Sequence, residues 1–161
     1  MPKLIIVNGA PSVGKSTVAN LVFPRLPNSA FLDGDDVWRI NPFEVTEQTK
    51  AIVDKNIPFV LRSYLEAGYE HVLLAWVMHR QEIIDHVVAE LSDLDFELHV
   101  FTLAAEEGVL QDRWRHRTGS EADSGMVADR LRQSRGLEST KIDTTHLSPG
   151  EIAEKILNAL A

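Results

Sequence analysis

A chain of 161 residues with 44% apolar and 25% charged side chains has the length of one domain and the composition of an ordinary globular protein, which excludes disorder, a fibrous repeat and most multidomain machines. A formal charge of −8 disfavours phosphate backbones and anionic membranes, and zero cysteines exclude disulfide scaffolds, thiolate catalysis and cysteine-ligated metal centres. No stretch approaches the roughly 18 apolar residues of a membrane span and the first apolar run is too short for a signal peptide, so the chain reads as cytoplasmic, with neither nucleic acid nor membrane as partner.

In chain order, β-rich runs predict strands at Leu4 to Val7, Ala30 to Leu32, His71 to Val77, Glu97 to Leu103 and Lys141 to Asp143. Helical spacing of apolar residues marks Ser16 to Arg25, Thr46 to Ala67, Gln81 to Leu91, Glu106 to Arg117, Ser124 to Gly136 and Pro149 to Leu160. Strands separated by helices imply an α/β domain with a five-stranded parallel sheet, spanning residues 1–161. Leu4 to Val7 and Val72 to Val77 do not alternate in polarity, as central strands covered on both faces require. Gly68 is placed to close the second helix, and Ser148-Pro149-Gly150-Glu151 carries a capping box with proline at the first helical position. Pro58, inside the second helical pattern, predicts a kink or break near Ile57.

Directly after the first strand, Gly9-Ala10-Pro11-Ser12-Val13-Gly14-Lys15-Ser16-Thr17 has the G-x-x-x-x-G-K-[ST] spacing of a P-loop. Its glycines allow a tight turn whose N–H groups point at phosphate oxygens, and the following helix adds positive partial charge at its start. Lys15 is expected to bridge the β- and γ-phosphates and Ser16 to offer its hydroxyl to Mg²⁺ carried with ATP. Eighteen residues after Lys15 the second strand runs into Asp33-Gly34-Asp35-Asp36. In an open α/β sheet that edge faces the same crevice. Asp33 and Asp35, alternating along an extended chain, could both reach the phosphates, one on the Mg²⁺ side and one accepting a hydroxyl proton. The alternative is an acidic turn in which Asp35 or Asp36 caps a helix.

The P-loop followed by Asp33-Gly34-Asp35 resembles the small P-loop kinases typified by gluconate, shikimate and adenylylsulfate kinases. The tail Lys141 to Glu151, with Ser124-Gly125-Met126-Val127, is similar to chloramphenicol phosphotransferase and the tunicamycin-resistance ATPase family. The resemblance implies strand order 2-3-1-4-5, a three-layer α/β/α fold with a small helical lid at about 116–126, ATP as donor and a small-molecule hydroxyl as acceptor. It places Asp35 as catalytic base and Asp33 on the magnesium side. It also implies that Arg117 neutralises the transferring phosphoryl group and that Arg113 stacks on adenine. The third strand ends Trp76-Val77-Met78-His79-Arg80 without an acid, so metal ligation would rest on Ser16 and Asp33.

Residues 106–135 hold six of the ten arginines, and Thr118-Gly119-Ser120 is a polar loop suited to a mobile lid. A solvated face of i,i+4 pairs is the structural alternative for these arginines, Arg115 above all. Arg39, Arg62, His79 and Arg80 are candidates to grip an acidic acceptor, and Trp38 to wall its pocket. The six histidines lack metal-ligand spacing. A GTPase switch would bring D-x-x-G and N-K-x-D, and neither is found. The function expected is transfer of the ATP γ-phosphoryl to a metabolite or antibiotic hydroxyl. The alternatives are an ATP-binding protein or ATPase that sequesters a ligand, and a nucleoside monophosphate kinase.

Overall fold

Alternate side chains of an extended strand point to opposite faces of its sheet, so an unbroken apolar run is stable only where both faces are covered. The computed structural model, which describes Met1 to Ala161, has five strands: β1 (Lys3–Gly9), β2 (Ser29–Asp33), β3 (His71–Trp76), β4 (Glu97–Ala104) and β5 (Thr140–Asp143). All pair in parallel in the order β2-β3-β1-β4-β5, as expected. Six helices, α1 (Lys15–Val22), α2 (Glu47–Glu66), α3 (Gln81–Ala89), α4 (Glu107–Thr118), α5 (Ser124–Ser134) and α6 (Pro149–Leu160), alternate with them.

The central run divides between two cores. Ile5 and Val7 pack with Val18, Ala19 and Val22 of α1, Val127 and Leu131 of α5, and Ile152, Ala153 and Ile156 of α6. Leu4 and Ile6 pack on the other side with Val53, Ile57, Leu61 and Leu65 of α2 and Ile84 and Val87 of α3. Each fully buried aliphatic contributes about 1.5–3 kcal/mol relative to exposure, which is what holds the three layers together.

The local signals act as read, with one exception. Ser148 and Glu151 form both halves of a capping box at α6, and Gly68 adopts φ +86° just past the end of α2. Pro58, however, does not break α2, which runs unbroken from Glu47 to Glu66. A proline has no N–H for the carbonyl four residues back. Here that carbonyl, on Asp54, accepts instead from His86 Nε2 of α3 at 3.2 Å, so the freed acceptor is satisfied and the helix continues. No helix is long and apolar enough to cross a membrane.

Buried Asn8 fixes the edge where the site forms. Its Nδ2 donates to the Met78 carbonyl (2.8 Å) and its Oδ1 accepts from Met78 N–H (2.7 Å). The chain leaving β3 is thereby locked beside the end of β1.

Candidate active site

The turn between β1 and α1 is built for an anion. Gly14 has φ +104°, and a Cβ added there would meet nothing within 4 Å. Its glycine is thus required by backbone conformation and not by space. No side chain caps α1, so the amides of its first turn are left for a ligand. Ser12, at φ +66°, has a buried hydroxyl with no partner. Lys15 folds back over the loop, its Nζ donating to the Ala10 carbonyl at 3.0 Å. Burial pushes the Lys15 ammonium down to about 8, against the opposing pull of Asp35, with Arg117 lowering it further and Asp33 raising it. A half-buried cation whose neighbours do not fully compensate it, beside unpaired amides and an unpaired hydroxyl, fits a polyphosphate.

Opposite this loop, Asp33 is the organising residue. Ser16 Oγ donates to Asp33 Oδ2 at 2.5 Å, which joins the start of α1 to the end of β2 and sets side by side the two groups expected on the magnesium side. Asp33 Oδ1 accepts from the Asp35 N–H at 3.1 Å. The following residues, Gly34 to Val37, form a 3₁₀ turn capped by Asp33. This corrects two expectations: the segment is not an extended chain with alternating acids, and neither Asp35 nor Asp36 is the cap. Gly34 is buried, and a Cβ there would lie 2.5 Å from the Trp76 ring. Here glycine is required by space, because the turn packs directly on β3.

The crevice so formed has a volume of about 540 Å³, within the range of small-molecule sites. Residues Pro11 to Thr17 without Val13, together with Asp33, Asp35, Arg113 and Arg117, line it, as do Phe43, Ala75, Trp76, Val77 and Trp114. A depression of equal volume around Lys3, Tyr69 and His71 lies at the amino ends of the strands and has neither phosphate loop nor acid pair. Arg117 is exposed at the end of α4, pairs with no carboxylate, and lies 5.0 Å over the Trp114 ring. Arg113, one turn earlier, donates to Thr144 Oγ1 and to the Thr144 carbonyl, both at 3.3 Å, and also lines an adjoining depression with Leu147 and Pro149. Arg115 is tied to Asp112 and Glu121, as the surface reading has it. The segment 116–126 comprises the end of α4, a turn and the start of α5, and Trp114 Nε1 donates across it to the Ala122 carbonyl (2.8 Å).

Four residues expected to grip an acceptor do not line the crevice. Arg62 is bound to Asp93 (2.6 Å), Glu66 and the Glu90 carbonyl, in a separate depression between α2 and α3. Arg39 pairs with Asp36 at 2.6 Å and is 79% exposed. Arg80 precedes α3 without reaching the crevice. His79 is partly buried, and its pKa is pushed down to about 4 by burial and by Arg130 and Arg80. Trp38 stands behind the wall, edge-on to Phe43 (5.2 Å) and Trp76 (6.2 Å). Phe43 was not legible as a site residue, because Ile40, Pro42 and Val45 share its loop and nothing in the spacing sets it apart from them.

The comparison with proteins of curated function found no match. Solved structures share the fold across nearly the whole chain. The tunicamycin resistance protein of Deinococcus radiodurans has a TM-score of 0.75 at 23% identity, over 100% of this chain and 96% of its own. A gluconokinase from Sinorhizobium meliloti 1021 gives 0.74 at 22%, over 99% and 91%. The APS kinase CysC of Mycobacterium tuberculosis, solved with AMPPNP and APS, gives 0.69 at 19%, over 99% and 97%. The AAA domain family matches residues 5–138, a stretch that runs from β1 through the phosphate loop and past α5. The chain therefore belongs to the AAA domain family and has the fold of the small P-loop kinases.

Proposed function

We propose that the protein transfers the γ-phosphoryl group of ATP to a hydroxyl of a small molecule. The observation that carries this reading is the bond from Ser16 to Asp33, because it draws an acidic turn up against a phosphate loop and so places Asp35 on the same crevice as Lys15. A loop meant only to hold nucleotide needs no second carboxylate on that crevice.

In this reading the N–H groups at the end of the loop and in the first turn of α1, Gly14 to Thr17, hold the phosphates, and Lys15 spans the β- and γ-phosphates. Ser16 and Asp33 would hold Mg²⁺, which when bound would neutralise charge on the phosphates. Asp35, exposed and free of any side-chain ion pair, accepts the proton of the acceptor hydroxyl. The acceptor oxygen forms its bond to the γ-phosphorus while the bond to the β–γ bridging oxygen breaks, and ADP leaves with that electron pair. Arg117, which lines the crevice from the end of α4, neutralises charge on the moving group. Arg113, held by Thr144, offers its guanidinium plane to adenine beside Leu147 and Pro149.

The test is an ADP-release assay across sugars, sugar acids, nucleosides, nucleotides and antibiotics, with product mass read in parallel. A product heavier by one phosphoryl group supports transfer. ADP formed with no phosphorylated product under every acceptor assigns the protein to ATP hydrolysis instead.

A further inference from the structure

Resting on that reading, we infer that the acceptor is an uncharged or amino-bearing hydroxyl compound that lays a flat apolar face on Phe43, and that acceptors carrying a carboxylate, sulfate or phosphate are disfavoured. The topology divides the crevice at β1. Arg113 and Thr144 stand on the β4 and β5 side, whereas Asp33, Asp35, Phe43 and Trp76 come from the β2 and β3 side, where the acceptor must lie if Asp35 takes its proton.

The charges on that side are of one sign. Asp33 and Asp35 line it, and Asp36 adjoins them with its charge already matched by Arg39. The cations lining the whole crevice are Lys15, Arg113 and Arg117, which lie at the phosphate loop and on α4. The arginines that could have reached across are spent elsewhere: Arg62 on Asp93 and Glu66, Arg39 on Asp36. With Asp33 given to Mg²⁺ and Arg117 to the moving phosphoryl group, an anionic acceptor would meet the carboxylate of Asp35 with no counter-charge of its own, an arrangement that selects by repulsion as much as by attraction.

The apolar part of the wall is equally specific. Phe43 is 58% exposed on the crevice, although Trp38 and Trp76 form a continuous aromatic surface behind it. A ring held edge-on by Trp38 and set on the same side of the crevice as Asp33 and Asp35 offers a stacking face to a sugar ring or an aryl group.

The test uses three compounds of one skeleton, phenyl β-D-glucoside, its 2-amino-2-deoxy analogue and phenyl β-D-glucuronide, bound to the protein loaded with Mg²⁺ and AMPPNP and followed by saturation-transfer NMR. The glucoside and the amino analogue are expected to bind at least tenfold tighter than the glucuronide, with the strongest saturation on their ring protons. Phe43→Ala, at an exposed position and checked for folding by its melting transition, should weaken the glucoside severalfold. A glucuronide that binds as well as or better than the glucoside, no binding by any of the three, or an unaffected Phe43→Ala would overturn the inference. The same compounds with ATP keep the two claims apart: the charge order in binding without any ADP formed upholds the pocket's selectivity and counts against phosphoryl transfer.

Discussion

The phosphate loop and the wall facing it are built by different means. Between β1 and α1 the site is backbone: amides, a helix start and a glycine at φ +104° with open space around it. Across the crevice it is side chains from three places, Asp33 and Asp35 on the β2 edge, Trp76 on β3 and Phe43 on the loop before α2, packed so closely that Gly34 has no room for a methyl group. A backbone site binds what any chain with that turn would bind, whereas a side-chain wall can be rebuilt for each acceptor without disturbing the cradle. Fold likeness at 23% identity or less therefore speaks to the loop and not to the wall.

Breaking the cradle should have the largest effect. Lys15→Ala removes a charged contact to phosphate, worth about 1.5–3 kcal/mol, so ATP affinity should fall by roughly 10- to 100-fold. The rise in melting temperature produced by ATP and Mg²⁺ should shrink accordingly while the unliganded protein stays folded. Breaking the wall should instead cost folding. Gly34→Ala drives a methyl into the Trp76 ring and should lower stability by about 1–3 kcal/mol, as overpacking does, measured by denaturant titration without nucleotide. Gly14→Ala at an open position would fail through conformation alone, so its cost should persist when neighbouring side chains are trimmed.

The smallest effect concerns His79, which sharpens the boundary of the wall. Its pKa of about 4 lies below the ordinary 6.5, so between those values the unfolded chain binds a proton that the folded chain refuses. Stability contributed by neutral His79 is therefore present above pH 6.5 and is lost as pH falls toward 4. His79→Gln should lose less stability than the parent over that window, with no change in acceptor preference.

The same contrast explains what was legible from sequence. Gly9 to Thr17 and the box Ser148 to Glu151 are local, since every group that makes them lies within a few residues of its partner. The strands of the core were equally readable, because an unbroken apolar run can be satisfied only between two layers. Arg62 was misread as an acceptor ligand because its partner, Asp93, is 31 residues away, and spacing carries no information about that pairing. The absence of a break at Pro58 has the same origin, since the donor that satisfies the Asp54 carbonyl comes from His86 on another helix. The 3₁₀ turn at Gly34 depends on Asp33 capping it while also holding Ser16, a double duty visible only in three dimensions.

The central claim is that Asp33 and Asp35, two residues apart, do separate work, and ATP affinity measured against Mg²⁺ concentration for Asp33→Asn and Asp35→Asn tests it most directly. Asp33→Asn should shift the Mg²⁺ requirement upward by about tenfold and recover as Mg²⁺ is raised, while Asp35→Asn should bind Mg²⁺ and ATP like the parent and lose about 10²-fold in turnover once an acceptor is found. A parent-like Mg²⁺ curve for Asp33→Asn together with a shifted one for Asp35→Asn would contradict that division of roles.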